Sequence, residues 1–128
     1  FLLYLHALTI LAGLGMQIEI KLMLLPALSV LFFYIALLLR KSKRNWFVGI
    51  RTPWTMSSDF VWEKTHKIGS YCFALMAVFI FILAFVQSSM AFIALIAGVL
   101  VFSIVPVIYS YQAWREEQGR KHKKPLWK

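Results

Sequence analysis

Only one cysteine, Cys72, stands in the 128 residues, so no disulfide framework can form within the chain. Its setting in an apolar run marks it as a small packing residue. Catalytic spacing is missing too. There is no HExxH pair, no Ser-His-Asp order and no glycine loop of the kind that cradles phosphate. Acids are scarce, five against fourteen lysines and arginines, which leaves a net charge of +9. That balance alone would fit a nucleic-acid binder, but no aromatic platform beyond Trp127 accompanies the cations, and nucleic acid is not an expected partner. The most informative absence is that of charge itself, which is missing from four long stretches.

Those stretches are residues 1–18, 22–39, 68–86 and 90–111. At about 1.5 Å of rise per residue, 18 residues reach about 27 Å, close to the hydrocarbon thickness of a bilayer. None carries the polar stripe that a buried helix of a soluble protein would show. The expected fold is therefore all-α, a polytopic membrane protein with four transmembrane helices in one membrane domain. Thr9 and Gly13, Ser70 and Ala74, and Ala94 and Gly98 repeat small residues four apart, which allows close helix packing in lipid. Pro26 and Pro106 can kink their helices. His6 is the one ionisable side chain inside a span; with no charged group at matching depth it reads as a neutral, hydrogen-bonded histidine. The chain opens on Phe1 with no basic region before the first span, which argues against a signal peptide and for a start inside a longer protein.

Thirteen of the fourteen cations fall in residues 40–67 or in the tail, 112–128, whereas Lys21 after the first span is opposed by Glu19. The positive-inside rule then places the loop and the C-terminus in the cytoplasm, with the protein crossing the cell membrane several times. The run Arg40, Lys41, Lys43 and Arg44 reads as a topology anchor near acidic lipid headgroups, and so does the basic tail, which continues the last helix briefly.

The loop is chemically richer than an anchor needs. Residues 45–66 read NWFVGIRTPWTMSSDFVWEKTH. Trp46, Phe47, Val48 and Ile50 form a short apolar patch suited to the headgroup region. Gly49 permits unusual backbone angles and Pro53 drives Thr52 towards an extended conformation, so this part is expected to be a shaped turn. A helix is expected to start after Ser57 or Ser58 with Asp59 in its first turn, without a capping box, because Phe60 and Val61 occupy the third positions. Asp59, Glu63 and His66 then share one helix face. They could bind a divalent cation or receive the Arg51 guanidinium, and the acid contact is favoured; the plainer alternative is a solvated face with Glu63 paired to Lys67. No metal or cofactor is expected. The rigidly turned segment bearing Arg51, Trp54, Asp59 and Trp62 looks more like a recognition element than a spacer.

The order Gly49-Ile50-Arg51-Thr52-Pro53-Trp54-Thr55, followed by Val61-Trp62 and by Lys64-Thr65-His66, resembles the signature of the SdpI family of bacterial membrane immunity proteins. The match runs over about residues 45–70; elsewhere only hydropathy agrees. Phe60 stands where the family usually has an acid, and LLLRKSKRN replaces a small turn often found upstream. The resemblance implies a membrane protein without enzymatic activity that protects against a killing peptide. It further implies signalling, in which a cytoplasmic repressor is held at the membrane. Gly49, Arg51, Thr52, Pro53, Trp54, Asp59, Trp62 and His66 become the candidate binding or structural signature. Two other classes stay open: an accessory subunit of a larger membrane complex, and a metal-assisted hydrolase built on Asp59, Glu63 and His66.

Overall fold

Lipid offers no hydrogen bonds, so a chain crossing it must satisfy its backbone internally, and long apolar runs fold as helices. The computed structural model, which describes residues 1–88 and 90–123, contains α1 (Leu2–Gly13), α2 (Ile20–Lys41), α3 (Pro53–Ser57), α4 (Asp59–Phe85) and α5 (Ala91–Lys123). Ser89 and residues 124–128 of the tail, Trp127 among them, lie outside the described residues.

Among the described residues three helices, not four, are long and apolar enough to cross a membrane: α2, α4 and α5. The expected first span stops early, because the chain turns at Gly15, whose φ is +86°. There Gly15 N–H bonds the Ala12 carbonyl and Met16 N–H the Leu11 carbonyl, ending the helix at Gly13. Twelve residues reach about 18 Å, well short of a bilayer core. No residue of α1 is buried, and its tie to α2 is the Tyr4 hydroxyl donating to the Met23 carbonyl at 3.1 Å. The expected close packing through Thr9 and Gly13 is not found: nothing stands within 4 Å of where a Gly13 side chain would begin. His6 is exposed on this helix, and its ring makes none of the expected hydrogen bonds among the described residues.

The bundle proper is built on α4, which packs against α2 on one side and α5 on the other. Its core joins Leu25 of α2 to Met76, Ile80, Leu83 and Ala84 of α4 and to Ala91 at the start of α5. Both pairings are antiparallel. Ser29 donates to the Ala77 carbonyl at 2.8 Å, while Gly69 receives the Ile50 side chain of the loop, with Leu39 and Pro106 close by, and Gly98 lies under the Phe79 ring. Of the small residues read from α4 and α5, Gly98 marks a close approach and Ser70 is buried, whereas Gly69 is not among them. Pro26 and Pro106 both sit inside their helices.

Antiparallel pairing has a consequence for charge. The C-terminal end of α2, the N-terminal end of α4 and the C-terminal end of α5 come together at one end of the bundle, and Lys64 reaches Glu116 across it at 3.0 Å. At 27 residues α4 is about 40 Å long, some 10 Å more than the hydrocarbon layer, so its first two turns project beyond the lipid core. The signature loop and α3 lie against these projecting turns.

Candidate functional site

The loop returns from α2 to α4 by a path that its own polar atoms hold. Asn45 Oδ1 accepts the amides of Phe47 and Val48 at 2.8 and 2.7 Å, and its Nδ2 donates to the Lys43 carbonyl at 2.7 Å. This side-chain-capped turn, common for asparagine, delivers the chain to Gly49. Gly49 has φ of +135°, a region that side chains disfavour. A Cβ there would also collide with His66 Nε2 and would lie 2.8 Å from the Trp62 ring. Both conformation and space therefore demand glycine.

Beyond Gly49 the backbone is locked to α4. The Ile50 amide donates to His66 Nε2 at 2.9 Å, and His66 Nδ1 stands 2.8 Å from the Trp62 carbonyl, one helical turn back. Nε2 must be a bare acceptor to receive an amide, so the proton sits on Nδ1 and is donated to Trp62. His66 is neutral, 2% exposed and fully satisfied. Its ring stacks on the Trp62 indole with centroids 3.9 Å apart and planes 17° apart. Trp62, also 2% exposed, donates from Nε1 to the Ser42 carbonyl at 3.0 Å, joining the end of α2 to α4. Gly49, Trp62 and His66 form a clasp, with glycine backbone lying on two stacked rings.

A second lock follows one turn later. Thr52 caps α3 by accepting the Thr55 amide at 3.2 Å, while Thr55 Oγ1 accepts the Thr52 amide at 2.9 Å. The Thr55 hydroxyl donates to the Ile50 carbonyl at 2.8 Å and is fully buried. Pro53 takes the first helical position, where its missing N–H costs nothing. The capping box thus exists, at Thr52–Thr55 and not at Ser57 or Ser58. Ser58 precedes α4 without a side-chain cap bond, and Ser57 instead donates to the Trp54 carbonyl. The Thr-x-x-Thr spacing was legible, but it was masked by the expectation of one helix where there are two. Thr52 also meets Ser110 of α5 at 3.1 Å, and Trp54 packs edge-on against Tyr111 at 5.2 Å. Thr55→Val, which keeps the shape and deletes the hydroxyl, is expected to destabilise the protein by about 1–2 kcal/mol, read as the thermal midpoint in detergent.

The charges pair differently from expectation. Arg51 makes no acid contact among the described residues; it is exposed and donates to the Trp46 carbonyl, within its own turn. The arginine–acid pair is Arg44 to Asp59, at 2.9 Å. Asp59 is closer to Arg44 because the Asn45 turn folds the end of α2 back over the start of α4. Lys67 does not pair with Glu63; the ion pair of this region is Lys64 to Glu116. That hydrogen bond and the Lys64 charge hold the Glu116 carboxyl below its ordinary range, on a part of α5 past the apolar stretch. Lys64 and Arg120 both stand over the Phe60 ring, 4.7 and 5.3 Å from its centre, so its π-face meets two cations where an acid was expected.

Asp59, Glu63 and His66 do not converge on a cation. His66 spends both nitrogens on protein partners, and no group of three such ligands gathers among the described residues. The tryptophans of the loop differ in their surroundings. Trp46 is 73% exposed and Phe47 89%, whereas Trp62 is buried inside the clasp. Trp62 is therefore structural.

Comparison with known proteins adds a family to this geometry. The profile described as the SdpI/YfhL protein family matches residues 41–110, more than half of the chain and all of the clasp. Among curated proteins, the "Immunity protein SdpI" of Bacillus subtilis (strain 168) is 24% identical over 113 residues, which cover 88% of this chain and 55% of that protein. The chain thus spans little more than half the length of this relative. No solved structure matches it.

Proposed function

The chain belongs to the SdpI/YfhL protein family, and from that premise we propose that it is a non-enzymatic immunity protein of the cell membrane, protecting against a membrane-active killing peptide. The Bacillus subtilis relative, named for immunity, supports this reading. So does the division of labour within the loop. Gly49, Thr52, Pro53, Thr55, Trp62 and His66 are spent on holding one backbone shape, while Trp46, Phe47 and Arg51 of the same turn remain exposed. A turn fixed this firmly, presenting a cation and two rings, is built as a recognition surface. That is the observation on which the proposal chiefly rests.

The positive-inside rule, applied to cations gathered at one end of the bundle, puts this surface on the cytoplasmic side. From there it could hold a cytoplasmic partner at the membrane and so couple immunity to signalling. Cells expressing the full-length protein are expected to survive a killing peptide that lyses control cells. Arg51→Ala is expected to abolish that protection while the protein stays in the membrane and its stability changes by less than about 0.5 kcal/mol, as for exposed side chains generally. Full protection by this variant would take recognition away from Arg51. Failure of the unaltered protein against every peptide tested would contradict the immunity reading.

A further inference from the structure

At the end of α2 four cations come within five residues, and a cleft of about 600 Å³ opens among them, lined by Arg40, Lys41, Lys43 and Arg44 and floored by Trp62 and Glu63. Only Arg44 has an ionic partner among the described residues, Asp59. Arg40 stands over the Tyr71 ring at 5.8 Å, and Lys41 and Lys43 are exposed. With Arg44 and Asp59 cancelling, three cations face the single opposing charge of Glu63. The clasp fixes the cleft wall, because Trp62 bonds the Ser42 carbonyl in the middle of the basic run. A topology anchor needs neither a cavity nor a rigid wall.

Depth identifies the ligand. The cleft lies where α2 leaves the apolar layer, directly past Leu37 and Leu38, which are 46% and 40% exposed. On the loop beside it, Trp46 and Phe47 expose their rings, the side-chain type that favours the headgroup region. We propose that the cleft binds a phosphate monoanion or diester, supplied in the membrane by the headgroup of an anionic phospholipid whose acyl chains lie along the exposed side of α2. Arginine grips phosphate through paired N–H groups and lysine as a point charge, and this cleft offers both.

The test uses the full chain purified in a neutral detergent and titrated with phosphatidylglycerol, phosphatidylcholine, glycerophosphate and inorganic phosphate, bound ligand being counted by native mass spectrometry. Phosphatidylglycerol is expected to bind at least tenfold more tightly than phosphatidylcholine. Removing two cleft cations, Lys41→Gln with Lys43→Gln, is expected to weaken it by tenfold or more, since each cation near an anionic headgroup contributes about a factor of five. Arg115→Gln with Lys121→Gln removes the same net charge outside the cleft and is expected to change binding less than twofold. Glu63→Gln removes the opposing charge and is expected to tighten binding several-fold, a gain that misfolding cannot produce. Glycerophosphate or inorganic phosphate binding as tightly as the lipid, and lost in the same cleft variant, would support the phosphate site with a soluble anion as its ligand. Equal losses in the two double variants, no preference over phosphatidylcholine, or no gain in Glu63→Gln would overturn the proposal.

Discussion

Gly49→Ala is expected to unseat the loop and abolish protection against a killing peptide. The substitution carries two costs that do not relieve each other. The backbone at φ of +135° disfavours any side chain, and the new Cβ would drive into His66 and the Trp62 ring. Backbone strain of this kind costs about 1–3 kcal/mol, and overpacking a site with no room costs a similar amount. Moving the loop away to relieve the clash breaks the Ile50 amide bond to His66, leaving a buried acceptor unmatched. The net loss is expected to be about 3 kcal/mol, measured as denaturation midpoint in detergent. Gly98→Ala, where a new Cβ would meet the Phe79 ring of α4 at ordinary helical angles and away from the loop, provides the comparison: it should cost less and leave the loop seated.

Trp62→Ala is expected to cost still more, about 3–5 kcal/mol, as large buried aromatics do. The side chain is 2% exposed, so its removal leaves a cavity beneath Gly49. Removal also deletes the stacking surface of His66 and the Nε1 bond to Ser42 that ties α2 to α4. Trp62→Phe separates these contributions. It keeps a ring under the histidine and loses the bond to Ser42, and should cost about 1–2 kcal/mol. Equal costs for the two variants would mean that the hydrogen bond, not the packed ring, holds the clasp.

The membrane character of the fold was legible because uncharged runs of bilayer length have few other uses. The first run misled because average hydropathy does not register a chain reversal. Leu14, Gly15 and Met16 are as apolar as their neighbours, yet the backbone turns there. In the loop, Gly49 and Pro53 correctly announced a shaped turn, since each restricts the backbone by its own covalent structure. Asn45 could have been read in the same way, as a capped turn. What sequence did not reveal were the partners. His66 meets Ile50 sixteen residues away, and nothing local says that its Nε2 will face an amide and not an acid or a metal. The choice of Arg44 over Arg51 as the partner of Asp59 likewise depends on the direction in which the Asn45 turn throws the chain.

A neutral histidine clamping a backbone amide holds the loop to α4. Nitrogen NMR of the full chain in lipid, selectively labelled at His66 and Ile50, tests this directly. Expected are a proton on Nδ1, a bare Nε2 coupled through a hydrogen bond to the Ile50 amide, and an Ile50 proton that exchanges slowly with solvent. A proton on Nε2, or an Ile50 amide exchanging as fast as that of exposed Trp46, would contradict it.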